Sequence, residues 1–87
     1  MSHEVEWDPV ARAEIAALMR HDARMARRVY TAIRRFADEN VGDVRKLIDQ
    51  AGTYRLRVGD WRVLFSFEDG GHTVFIMHVL NRRDAYR

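Results

Sequence analysis

The chain has 87 residues, no cysteine and a formal net charge of +2. At that length a single small domain, residues 1–87, is expected to bury roughly 60–65% of its unfolded-chain surface. With 47% hydrophobic and 32% charged residues, the composition excludes disordered and fibrous classes. The lack of cysteine excludes disulfide staples and thiolate metal sites.

The start, Met1–Glu6, is polar and acidic and does not read as a secretory signal. The longest apolar run, Val74 to Leu80, is interrupted by His78 and falls far short of the ~20 residues that span a bilayer. A cytoplasmic protein without membrane contact is expected. Charge is uneven. Residues 1–43 hold seven basic and eight acidic side chains, whereas residues 44–87 hold eight basic and five acidic ones. Fourteen of the fifteen basic residues are arginine, whose planar fork suits phosphate.

In chain order, Val5 to Trp7 suggests a short strand. Asp8-Pro9 reads as the cap and first residue of a helix running to about His21, with Ala11, Ile15, Leu18 and Met19 as its apolar stripe. Asp22 then caps a second helix to about Glu39, burying Met25, Val29, Ile33 and Phe36 and stopped by Asn40-Val41-Gly42. Its outer arginines, Arg24, Arg27, Arg28, Arg34 and Arg35, read first as a solvated helix face. Asp43 to Gly52 reads as a connector that includes Arg45-Lys46.

The most informative stretch is Thr53 to Phe67. It alternates with period two on both sides of Gly59-Asp60, the pattern of a β-hairpin with a two-residue loop. That register sets Val58 opposite Trp61 and Arg57 opposite Arg62. Arg55, Arg57 and Arg62 then share one face, backed by Tyr54, Leu56, Val58, Trp61, Val63 and Phe65. Like charges facing each other across strands are destabilising, so three guanidiniums without an interleaved acid call for an anion. A solvated strand face is the competing explanation. Glu68-Asp69-Gly70-Gly71 turns into a last strand, about Thr73 to Leu80. The order βααβββ predicts an α+β domain, a helical hairpin packed on a largely antiparallel four-stranded sheet.

Arg45-Lys46-Leu47, the run Tyr54–Phe65, and Arg82-Arg83-Asp84-Ala85-Tyr86-Arg87 together resemble the RelE/ParE toxin superfamily of bacterial type II toxin–antitoxin systems. The resemblance covers essentially the whole chain, and its specific part is residues 45–87. It implies one of two activities. RelE-like members are ribosome-dependent endoribonucleases that cut mRNA in the A site and so inhibit translation. ParE-like members inhibit DNA gyrase by protein binding without catalysis. The RelE-like site maps onto Arg55, Arg57, Arg62, Arg82 and Tyr86, all of suitable type, which favours the nuclease branch.

The chemistry implied is attack by the RNA 2′-hydroxyl on the adjacent phosphorus, which needs neither metal nor cofactor. Arg62 and Arg82 are expected to stabilise the phosphorane charge, with Tyr86 stacking on a base or exchanging a proton. Arg55, Arg57, Arg45, Lys46 and Arg83 are expected to hold RNA. Arginine cannot serve as a base at neutral pH. Some relatives have lysine on the second strand, and many have histidine where this chain has Asn81. His78, Tyr86, Asp84 or ribosomal RNA groups remain as base candidates, with His78 first read as a packed, hydrogen-bonded residue. Expected partners are a small acidic or amphipathic antitoxin, the ribosome and mRNA, with DNA contact only through the antitoxin complex.

Overall fold

The structure is a computed structural model, and it describes residues 2–85. Nine elements follow in order: β1 (Glu4–Trp7), α1 (Pro9–His21), α2 (Ala23–Glu39), β2 (Asp43–Lys46), β3 (Tyr54–Val58), β4 (Trp61–Glu68), a 3₁₀ turn (Asp69–Gly71), β5 (Thr73–Asn81) and α3 (Arg82–Ala85). The five strands form one sheet in the order β1-β5-β4-β3-β2. All neighbours are antiparallel except β1 and β5.

Local chemistry sets the helix ends. Asp8 accepts the N–H of Val10 at 2.8 Å, with Pro9 next in a position where its missing N–H costs nothing. Asp22 accepts the N–H of Met25 at 3.0 Å, so this one residue both ends α1 and starts α2. Asn40 stops α2 in the left-handed region, its N–H bonded to the Phe36 carbonyl.

The helices cover one sheet face. Ala11, Ile15 and Leu18 of α1 and Val29, Ile33 and Phe36 of α2 pack on Leu56, Val58, Val63, Phe65, Val74, Ile76 and Val79. Phe65 is the most deeply buried ring, with Phe36, Phe67 and Tyr54 at centroid distances of 5.2, 5.5 and 5.7 Å. His3 ties the N-terminus of β1 across the structure. Its ring nitrogens lie 2.7 Å from the Gly71 carbonyl oxygen and 3.0 Å from Asn40 Oδ1.

Three expectations are corrected. The sheet has five strands rather than four, because residues 43–46 pair with β3 instead of forming a connector. Four residues are too few to show a convincing alternation before their partner is known. Met19 is exposed rather than part of the buried stripe of α1, which ends at Leu18, and Met25 is only partly buried. No helix of the described residues is long and apolar enough to cross a membrane.

Candidate nucleic-acid interface

The hairpin register is the one the alternation predicts, with Val58 opposite Trp61 and Arg57 opposite Arg62. Gly59, with φ +59°, supplies the backbone that a tight two-residue loop requires. Residues directly opposite each other on adjacent strands share a face. Two parallel rows therefore cross the face turned away from the helices: Asp43–Arg57–Arg62–Leu80 and Arg45–Arg55–Leu64–His78. Arg55, Arg57 and Arg62 share that face as expected.

Their environments differ. Arg57 is exposed. Arg55 is only 8% exposed, and its guanidinium lies 3.6 Å from the Asp43 carboxylate. Arg62 is 6% exposed and donates through Nη1 to the carbonyls of Gly59 and Trp61, both at 2.9 Å. The row is thus not a set of solvated guanidiniums. Nor is it free of acid, because β2 delivers Asp43 beside Arg57 and Arg55. Sequence reasoning missed that acid together with its strand.

The other expected residues surround these rows. The N–H of Arg82 bonds the Asp60 carbonyl at 2.8 Å, and its exposed guanidinium lies 3.9 Å from the Asp60 carboxylate. Its side chain therefore stands at the hairpin turn, near the backbone to which Arg62 is bound. Arg83 is exposed, and its N–H is capped by Asn81 Oδ1 at 3.2 Å. Arg45 and Lys46 lie exposed on edge strand β2. With Arg55, the 47–50 loop and Ala85 they line a cleft of about 490 Å³. Tyr86 falls outside the described residues.

His78 is half-exposed and faces the same side as the arginines. Its Nδ1 lies 3.2 Å from Glu14 Oε1 of α1. Glu14 had no sequence signal, being one acidic residue on a helix surface. The far end of the same sheet face is acidic. Glu4, Glu6 and Glu68 fall in rows with Thr73 and Phe75. A polyanion would be attracted to one end of the face and repelled from the other.

Asp38, on the outer face of α2, is the one group among those described whose titration is clearly displaced. A hydrogen bond from Arg34 holds its carboxyl below the ordinary aspartate range, far from the arginine rows.

A helical hairpin on one face of a five-stranded, mostly antiparallel sheet matches the fold of solved RelE toxins. The chain belongs to the ParE toxin family of type II toxin–antitoxin systems (parDE), whose model matches residues 5–86. It is accordingly a toxin of such a system. It is 41% identical over 39 residues to the toxin RelE of Mycobacterium tuberculosis. That match spans 45% of this chain and 40% of the relative.

Solved structures agree over far more of the chain. A YoeB/ParE toxin from Agrobacterium tumefaciens superposes with a TM-score of 0.77 at 19% identity, covering 90% of this chain and 96% of that one. The RelB–RelE antitoxin–toxin complex of Methanococcus jannaschii gives 0.71 at 20% identity, over 93% and 94%. The RelBE2 toxin–antitoxin complex of Mycobacterium tuberculosis gives 0.61 at 25% identity, over 94% and 100%. At 19–20% identity the first two likenesses concern the fold.

Proposed function

We propose that this toxin is a ribosome-dependent endoribonuclease that cleaves mRNA in the A site and thereby inhibits translation. One observation carries the reading: Arg55, Arg57 and Arg62 share a sheet face whose opposite end is acidic, with Arg82 at the hairpin turn. That polarity gives an RNA backbone one end to follow.

In this reading Arg57, Arg45 and Lys46 bind the flanking phosphates, and Arg83 extends the basic track. Arg55 acts from beneath them. Arg62 and Arg82 stabilise the charge that builds on the non-bridging phosphorane oxygens, usually the largest catalytic contribution. Arg82 is exposed and reaches a phosphate by leaving a long contact with Asp60, whereas Arg62 is held through Nη1 by the carbonyls of the turn and acts from there as a fixed positive charge. Tyr86 is assigned base stacking or proton exchange. No metal or cofactor takes part. The toxin would act in the cytoplasm and be held inactive by a cognate antitoxin, as the complexes among its structural neighbours suggest.

The family model is that of the ParE toxins, and this favours a second reading, inhibition of DNA gyrase by protein binding. Expression without antitoxin separates them. Mapping mRNA 5′ ends on translated and untranslated transcripts, with Arg82→Ala as control, is expected to give cuts confined to translated messages and lost in the variant. Arrested growth with intact messages and DNA damage signalling would overturn the nuclease reading in favour of gyrase.

A further inference from the structure

β5 does not alternate evenly. Val74 and Ile76 point into the core, and so does Val79, three residues beyond Ile76. Regular alternation from Ile76 would bury His78 with it. Instead Phe65 pairs with Ile76 and Leu64 with His78, leaving Met77 as the extra residue of a bulge. The bulge turns His78 onto the arginine face, and bulges commonly re-aim side chains in this way.

A second device fixes the ring. β1 ends at Trp7, opposite Ile76, so the outer edge of β5 beyond that point has no strand neighbour among the described residues. Glu14 reaches over that edge. Its Oε1 accepts the Val79 N–H at 2.9 Å and lies 3.2 Å from His78 Nδ1, with Oε2 at 3.4 Å. An ionised carboxylate only accepts hydrogen bonds, so Nδ1 carries the proton. The neutral ring then has its lone pair on Nε2, which has no hydrogen-bond partner among the described residues. A carboxylate orienting one nitrogen and leaving the other basic is the arrangement of a general base.

We propose that His78, oriented by Glu14, takes the proton of the attacking 2′-hydroxyl; this rests on the nuclease reading. Arg62 is the diagonal neighbour of His78 on the face, roughly 7–8 Å away between backbones. As the 2′-oxygen bonds to phosphorus, its proton passes to Nε2 and the bond from phosphorus to the 5′-oxygen breaks. The leaving oxygen takes a proton from water, and the resulting hydroxide recovers one from the imidazolium. The products are a 2′,3′-cyclic phosphate and a 5′-hydroxyl. Charged or titratable groups around this part of β5 are Glu14 and His21 of α1, Glu6 of β1, Arg62 of β4, Arg55 of β3 and Asp84 of α3.

The test is single-turnover cleavage of ribosome-bound mRNA by the full chain across pH, alongside a ribosome-pelleting assay. For the wild type, the rate should fall towards acid pH, because protonation of Nε2 removes the lone pair that accepts the 2′-hydroxyl proton. His78→Ala should lower the rate roughly 10²-fold or more, flatten that limb and leave ribosome binding unchanged. Added imidazole should restore part of the rate, a response that a merely structural residue would not give. Glu14→Gln retains an acceptor for the Val79 N–H and should lower the rate about tenfold, because the carboxylate that orients the ring is lost. Should His78→Ala fold poorly by circular dichroism, His78→Gln is expected to show the same loss. A folded His78 variant within threefold of the wild type, with the same limb, overturns the assignment and leaves the nuclease reading intact. A wild type that cleaves no mRNA overturns both.

Discussion

Arg62 offers the sharpest check on how this face is built. It is 6% exposed, and its Nη1 bonds the carbonyls of Gly59 and Trp61 at 2.9 Å. Truncation to Ala removes these two bonds from a charged donor, about 1.5 kcal/mol each at the low end because the turn carbonyls can turn to water. It also removes two further buried methylenes, about 0.8 kcal/mol apiece. Freedom regained by a long side chain in the wild-type unfolded state offsets about 1.5 kcal/mol. The net loss is about 3 kcal/mol, against a total stability of about 4–13 kcal/mol for this length. Urea unfolding followed by circular dichroism should show the midpoint falling by about 2 M for a slope near 1.5 kcal/mol/M. Arg62→Lys, which keeps the charge but lacks the fork, should lose stability as well. A loss below about 0.5 kcal/mol for Arg62→Ala would refute the reasoning and mean that the guanidinium is not held by the turn. The magnitude bears on function, since lost toxicity in this variant has to be compared with its folded fraction.

Other substitutions probe the remaining parts. Phe65→Ala empties the most deeply buried position of the aromatic cluster and should cost about 3–5 kcal/mol in the same unfolding assay. Gly59→Ala places a Cβ at φ +59°, 3.2 Å from Arg28 Nη1, and should cost about 1–2 kcal/mol, read as a lower thermal midpoint. The Asp38 carboxyl should titrate below the ordinary aspartate range by carbon NMR and return towards it in Arg34→Ala. Because its folded value is the depressed one, its contribution to stability is present above the unfolded pKa and disappears as pH falls through the folded value. In the cleavage assay, a chelator that spares the ribosome should leave the rate unchanged; abolished cleavage would contradict attack by the RNA's own hydroxyl.

Local chemistry is why so much was legible in the sequence. Asp8-Pro9, Asp22 and Asn40 fix both helices through contacts within a few residues of themselves. Gly59-Asp60 fixes the hairpin, because a two-residue loop admits one register, and period two then assigns Arg55, Arg57 and Arg62 to a common face. The resemblance carried by residues 45–87 supplied the family.

Tertiary structure decided the rest, for reasons of distance along the chain. β2 is a strand because β3 lies beside it, and that pairing brings Asp43 to the arginines. Whether Arg55 and Arg62 are solvated or buried depends on what packs over them, which alternation does not encode. The orientation of His78 rests on a bulge at Met77 and on Glu14, 64 residues away. A one-residue slip reverses which face a side chain takes, and it registers only when the neighbouring strand is in place. The sequence by itself determined the elements and the common face of three arginines; packing alone determined which of them reach solvent and what stands beside them.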